Sequence, residues 1–326
     1  MRAIIQDTYG APNDVLRFNE TGLPAVGEDD VLVRVHAAGL HIGDWLVGSG
    51  LPYMVRLGYG LTRPKHNIPG MELAGTVESV GTNVTQFQPG DEVFGWGTGA
   101  FAEYVSIEQD SLVLKPTNAT FTEAAAVPIS GFTALQAVRD IGEVKPGDNV
   151  LVIGASGGVG TYAVQIAKAY GAEVTGVCST RNVDMVRSIG ADHVIDYTKE
   201  DITKGDTRYD VILDTAGNRS LSTLRDALSP TGTLVIVGGS GGPWLMGVGR
   251  SLRATVTSPF VSQRLRMFLS STNRDDLATL GELIESGKVT PVIDRTYPLS
   301  ETAAALTHVG GRHTRGKTVI KVVNDA

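Results

Sequence analysis

Val150-Leu151-Val152-Ile153-Gly154-Ala155-Ser156-Gly157-Gly158-Val159-Gly160 runs a buried-type apolar strand straight into a turn of small residues, and residues 159–170 then read as a helix. Small side chains let a backbone come close to a pyrophosphate, and the free N–H groups at a helix start face its negative charge. The spacing Gly154-x-x-Gly157-x-x-Gly160 differs from the commoner G-x-G-x-x-G. A glycine triplet alone also fits a tight loop. It is the strand–turn–helix setting, inside an alternating series, that points to a dinucleotide.

That series extends in both directions. Lys145-Pro146-Gly147-Asp148 turns the chain into the first strand, and residues 173–178, 193–195, 210–213, 233–237 and 254–257 read as further strands. Helical stretches at residues 183–189 and 221–228 separate some of them. Six short apolar strands with crossovers imply a parallel, doubly wound sheet. Upstream, residues 31–37, 73–80, 92–94 and 101–105 are strand-like and bounded by Gly or Pro-Gly turns such as Gln88-Pro89-Gly90-Asp91. They suggest a small irregular barrel. Thr122 is expected to cap a helix starting at Glu123, and residues 131–141 to form another. Residues 274–286 place Leu277, Leu280, Leu283 and Ile284 on one helical face, and an Ala-rich helix follows Pro298-Leu299-Ser300. A last strand at 318–323 most simply returns to the barrel.

The chain's 326 residues suit two domains. Hydrophobic residues at 42% and charged residues at 19% are an ordinary globular balance, and the 40 glycines fall mostly in short turns. A net charge of −7 without a dense Lys/Arg cluster gives no nucleic-acid footprint; Arg312, His313, Arg315 and Lys317 make only a short basic stretch. Cys178, the only cysteine, makes neither an internal disulfide nor a multi-thiolate zinc site. No signal-like leader or membrane-length apolar run is evident, so a cytoplasmic home is expected.

The strand after the glycine turn bears on the choice of cofactor. In NAD sites its tip carries an acidic residue that holds the ribose 2′-hydroxyl. Here the tip reads Cys178-Ser179-Thr180-Arg181-Asn182, and the first acidic residue is Asp184. Hydroxyl donors and a guanidinium suit a 2′-phosphate, so NADPH is expected over NADH. Ser179-Thr180 also fits a plain helix cap, and the two readings are compatible.

At these residues the chain resembles the medium-chain dehydrogenase/reductase superfamily, in its zinc-independent quinone oxidoreductase-like branch. The resemblance spans nearly the whole chain. It includes Gln88-Pro89-Gly90-Asp91-Glu92-Val93, Val144-Lys145-Pro146-Gly147-Asp148, Ala155-Ser156-Gly157-Gly158-Val159-Gly160, Ser188-Ile189-Gly190-Ala191-Asp192-His193-Val194-Ile195-Asp196-Tyr197 and Gly316-Lys317-Thr318-Val319. It implies an α/β chain with a GroES-like β-barrel catalytic domain (residues 1–121 and 288–326) and a doubly wound parallel Rossmann domain (residues 122–287), the active site lying in the cleft between them. It implies cofactor contacts from Thr133, Ala155, Ser156, Gly157, Gly158, Val159, Ser179, Arg181, Tyr197, Gly238, Phe260, Val261 and Lys317. A homodimer through the edge strand at 254–257 is also implied, and an uncovered edge is a ready template for pairing.

Zinc-dependent relatives carry Cys and a His-Glu pair where this chain reads Gly39-Leu40-His41-Ile42-Gly43-Asp44 and Gly70-Met71-Glu72. Methionine is a poor zinc ligand, and catalytic zinc normally needs three protein ligands, so no metal is expected. His41, Asp44 and Glu72 as a makeshift site is the minor alternative. The plainer readings are a satisfied carboxylate for Glu72 and a helix-start cap for Asp44. Without zinc, His41 or Tyr53 is the expected donor to a substrate carbonyl oxygen, with hydride passing from NADPH to a quinone or an α,β-unsaturated carbonyl. His41 also fits a structural histidine, and Tyr53 a pocket wall. The rival functions are an NADP-dependent alcohol dehydrogenase or carbonyl reductase, a zinc alcohol dehydrogenase with unusual ligands, and a nucleotide-binding protein with little catalysis.

Overall fold

The computed structural model describes residues 1–202, 207–238 and 261–323. Its strands run β1 (Arg2–Gln6), β2 (Leu16–Glu20), β3 (Asp30–Leu40), β4 (Glu72–Val80), β5 (Glu92–Trp96), β6 (Tyr104–Glu108) and β7 (Leu112–Leu114), then β8 (Asn149–Ile153), β9 (Glu173–Cys178), β10 (His193–Asp196), β11 (Tyr209–Asp214), β12 (Leu228–Ile236) and β13 (Arg264–Met267), and finally β14 (Ile293–Pro298) and β15 (Lys317–Lys321). They fall into two compact units. The first takes Met1–Ser130, Thr272–Gly287 and the chain from Pro291 onward; the second takes Gly131–Ser271 and Lys288–Thr290.

In the first unit β3 is the central element. One of its edges pairs antiparallel with β4; the other is shared, β6 covering Asp30–Arg34 and β15 covering Ala37–Leu40. The full order is β14-β15-β3-β4-β5-β7, with β6 added on β3. The last β-strand therefore does return to the barrel. Val33, Leu73, Val93, Phe101, Leu112 and Ile320 belong to its core.

In the second unit the order is β10-β9-β8-β11-β12-β13, every pairing parallel. This is the doubly wound arrangement, in which strand order reverses beside the first strand and ligands bind beyond the strands' carboxyl ends. β8 is buried because its Val150-Leu151-Val152-Ile153 run is apolar on both faces. Leu151, Ile153, Ile212, Leu234 and Leu265 share one core cluster.

Several expectations shift. The sixth described strand of this sheet is β13, whose Arg-Leu-Arg-Met sequence buries only Leu265 and so gives no apolar run. The expected strand at 254–257 lies outside the described residues. The helix near residue 121 is Phe121–Ala125, capped by Thr120 rather than Thr122. The Thr120 hydroxyl accepts from the Glu123 N–H while the Glu123 carboxylate accepts from the Thr120 N–H. The expected helix at 131–141 begins earlier, as Pro128–Gln136, and ends in a π-turn, Ala137–Ile141. The unit boundary falls after Ser130, and helix Arg274–Glu285 joins the first unit, where Asn118 Nδ2 donates to the Ile284 carbonyl at 2.9 Å. Among the described residues no helix is long and apolar enough to cross a membrane.

Because Thr120 and Glu123 satisfy each other's N–H groups, Thr120→Ala is expected to lower the unfolding free energy by about 1 kcal/mol, read by denaturant titration.

Candidate active site

The glycine turn leaves β8 at Ile153. Gly154 has φ +83°, and a Cβ there would stand 2.6 Å from Thr215 Oγ1. A Cβ at Gly160 would collide with the Gly154 carbonyl, so Gly160 is what lets the helix start sit on the turn. The N–H groups of Gly154 and Ala155 both donate to the Val177 carbonyl at 3.1 Å, which ties the turn to β9. Gly157 caps helix Gly158–Ala169 without a side chain, and a Cβ there would meet only the Gly154 carbonyl at 3.4 Å. Ala155 is buried, while Ser156, Gly157, Gly158 and Val159 keep partial exposure. The open space at Gly157 and the helix's first N–H groups fit a dinucleotide diphosphate.

The tips of β9 and β10 lie side by side. Tyr197, half-exposed just after β10, donates its N–H to the Cys178 carbonyl at 3.0 Å, and Ser179 and the exposed Arg181 follow Cys178. Sequence reasoning offered Thr180 as a second free hydroxyl, but it donates to Asp196 Oδ2 at 2.6 Å. Hydrogen bonds from Thr180, then Thr198, hold the Asp196 carboxyl down at about 2, and Lys199 lies 3.4 Å away. Ser179 starts the 3-10 turn Thr180–Asn182 without a side-chain cap bond. Asn182, which sequence reasoning passed over, donates to both Ser156 and Ser179. Beyond β12, the Gly238 N–H donates to the Asp214 carbonyl, and a Cβ on Gly238 would strike the Thr215 carbonyl. The Thr133 hydroxyl lies 3.0 Å from that of Ser270. Val261 packs on the core cluster, and Phe260 lies outside the described residues.

In the first unit His41 is itself the helix cap, ahead of helix Ile42–Ser49. Its Nδ1 accepts from the Gly43 N–H at 2.9 Å, and its own N–H donates to Asp44 Oδ2 at 3.0 Å. Asp44 therefore sits inside the first turn and closes the cap, rather than being the cap expected from sequence. A Cβ on Gly43 would collide with the imidazole, so glycine makes room for the ring. With Nδ1 accepting, the neutral ring carries its proton on Nε2. Nε2 is buried without a hydrogen-bond partner, 3.5 Å from Asp44 Oδ2. Burial pushes His41 down to about 4, with Lys317 adding to the effect and Glu72 opposing it. Burial pushes Asp44 up to about 7, against the His41 N–H and the charge of Lys317.

Glu72 and Lys317, both fully buried, form an ion pair. Glu72 also accepts from the Ile129 N–H at 2.9 Å, and the Lys317 ammonium lies 3.2 Å from Ser130 Oγ. Lys317, expected among the cofactor contacts, has its ammonium held by Glu72 and Ser130 inside the first unit. Among the described residues no cluster of three or more His, Cys, Asp and Glu side chains could hold a metal. A lysine already neutralises Glu72, and Met71 precedes it. Tyr53, 43% exposed, belongs to a separate cluster in which the Arg56 guanidinium lies 4.9 Å from its ring and 4.7 Å from that of Tyr9.

A doubly wound nucleotide-type unit and a small barrel in one chain define the two-domain dehydrogenase/reductase class. Residues 27–117 match the family described as alcohol dehydrogenase GroES-like domain, and residues 189–320 the one described as zinc-binding dehydrogenase. The chain is 34% identical to the mitochondrial NAD(P)H oxidoreductase RTN4IP1 of Mus musculus, over 99% of this chain and 89% of that protein. It is 33% identical to the chloroplastic quinone-oxidoreductase QR1 of Triphysaria versicolor, over 98% of each. Among solved structures it resembles the quinone oxidoreductase of Coxiella burnetii (TM-score 0.85, 31% identity, 99% of both chains) and that of Escherichia coli complexed with NADPH (TM-score 0.83, 26% identity, 99% and 100%). The chain belongs to the medium-chain dehydrogenase/reductase superfamily, in its quinone oxidoreductase-like branch.

Two outcomes follow from the buried charges. Lys317→Met leaves the Glu72 carboxylate unpaired and is expected to cost about 3–5 kcal/mol in denaturant unfolding, most of it recovered when Glu72→Gln is added. The Asp44 carboxyl, raised to about 7 from 3.8, holds a proton when folded that the unfolded chain releases, so its stabilisation is present at low pH and lost as pH rises through 7. His41, lowered to about 4 from 6.5, gives the opposite slope between those two values. Asp44→Asn removes only the first of these. Its Tm relative to wild type is therefore expected to climb from about pH 4 to about pH 7 and to level off above, read by thermal melts.

Proposed function

We propose that the chain is an NADPH-dependent oxidoreductase that transfers hydride to a quinone or an α,β-unsaturated carbonyl without zinc. The observation that carries this reading is the glycine turn beside a β9 tip that offers Ser179 and Arg181 and no carboxylate, with Tyr197 from the adjoining β10. Thr133, Ala155, Ser156, Gly157, Gly158, Val159, Ser179, Arg181, Tyr197, Gly238, Phe260 and Val261 are the proposed cofactor residues. The relatives, named as oxidoreductases of NAD(P)H and of quinones, support the same class.

Bound NADPH would supply the hydride, chemistry that no side chain provides. His41 would offer its Nε2 proton as a hydrogen bond to the carbonyl oxygen where negative charge develops. A buried imidazole kept neutral to about pH 4 suits polarisation of a carbonyl better than full proton transfer. Tyr53 is the second candidate donor, and its stacking on Arg56 also fits a pocket wall. The Lys317–Glu72 pair supports a metal-free reaction, since the buried carboxylate already has its cation. The same reading takes the protein as a cytoplasmic homodimer, checked by light scattering and by fractionation.

The deciding experiment is a panel of quinones, enones and aldehydes, each run with NADPH and with NADH. Preferential NADPH consumption with quinones or enones is expected. Turnover on aldehydes alone favours the alcohol dehydrogenase or carbonyl reductase rival, and nucleotide binding without turnover favours a non-catalytic role. His41→Ala is expected to lower kcat/KM by about 100-fold, and purified protein to carry substoichiometric zinc. If neither His41→Ala nor Tyr53→Phe slows turnover, both donor assignments fail.

A further inference from the structure

One buried amide bridges two strand tips of the second unit. Asn182 is 4% exposed. Its Nδ2 donates to Ser156 Oγ at 3.0 Å and to Ser179 Oγ at 3.3 Å, and its Oδ1 is buried with no partner. Ser156 lies in the turn after β8 and Ser179 directly after β9, so a single nitrogen gathers hydroxyls from two neighbouring strands. The adjacent hydroxyl, Thr180, is taken up by Asp196.

A hydroxyl has one proton and two lone pairs. When an amide N–H occupies a lone pair, the hydroxyl proton is left to find an acceptor elsewhere. Accepting from Asn182 therefore turns both serines into donors directed away from the amide. An anionic oxygen cluster is the partner that satisfies two such donors at once. Backbone N–H groups of the helix start would serve the diphosphate, whereas Ser179 stands at the strand tip where the ribose 2′ substituent would be read.

We infer that Asn182 is a specificity-determining positioning residue, setting Ser156 and Ser179 as paired hydroxyl donors for the 2′-phosphate of NADPH. The inference rests on the cofactor reading given above and adds to it a residue that need not touch the nucleotide. Asparagine is required because a carboxylate of the same shape would accept from both hydroxyls. That would draw their protons inward and set a negative charge beside the phosphate.

The test is calorimetric titration of the full chain with 2′,5′-ADP and with 5′-AMP, which differ by the phosphate in question. Wild type is expected to prefer 2′,5′-ADP. Asn182→Asp is expected to reduce that preference by about tenfold or more while 5′-AMP affinity changes little. Asn182→Ala, which adds no charge, is expected to reduce it less, and to have no further effect when Ser156→Ala and Ser179→Ala are already combined. An Asn182→Asp chain that keeps the wild-type preference overturns the inference, as does an Asn182→Ala effect that persists in full when Ser156→Ala and Ser179→Ala are combined. Wild type binding both nucleotides equally overturns the cofactor choice itself and the inference with it, so the wild-type arm separates the two failures.

Discussion

A carboxylate and an ammonium, both sealed from water, fix the first unit. Taking two charges into a protein interior is costly unless each finds its full set of partners. Glu72 finds Lys317 and the Ile129 N–H, and Lys317 finds Glu72 and Ser130. Glu72 opens β4 and Lys317 opens β15, so the pair joins strands on either side of β3. Gly39 of β3 faces Glu72 in register, and a Cβ there would collide with the Ala125 carbonyl and crowd the carboxylate. The pair also sets the local field. His41 and Asp44 both feel it: burial keeps the imidazole neutral, with Glu72 opposing and Lys317 adding, and burial makes the Asp44 carboxyl titrate near neutrality against the charge of Lys317.

In the second unit the governing constraint is steric. Gly154, Gly160 and Gly176 are each places where a methyl group would run into something. For Gly154 it is Thr215, for Gly160 the carbonyl of the turn, and for Gly176 both Val186 and Ala155. Close approach of β8, β9 and the helix start follows, and with it the cluster of Ser156, Ser179 and Asn182. Phosphate chemistry on this unit thus depends on the absence of side chains as much as on the polar ones present.

Sequence made the doubly wound sheet legible because five of its strands are apolar runs separated by turn residues. β13 was not legible, since a strand with one buried residue carries no hydrophobic signal. The glycine turn and the missing acid at the β9 tip were local features and could be read directly. His41 as a cap was harder to see, because histidine seldom takes that role; the Asp44 three residues on was the available clue. Thr120 was missed although Thr120-x-x-Glu123 spells a capping box. Lys317 could not be placed from sequence, because its partner is 245 residues away. Asn182 carried no signal of its own in the sequence, and only the approach of two strand tips reveals what its amide holds.

Lys317 has a bearing on the order in which the polypeptide matures. During synthesis Glu72 emerges long before its countercharge, and β3 lacks the strand that covers Ala37–Leu40 until β15 leaves the ribosome. The first unit must wait for β15 with an acidic residue that has no countercharge until then. The second, made of Gly131–Ser271 and Lys288–Thr290, has all its residues earlier and can form while its neighbour stays open.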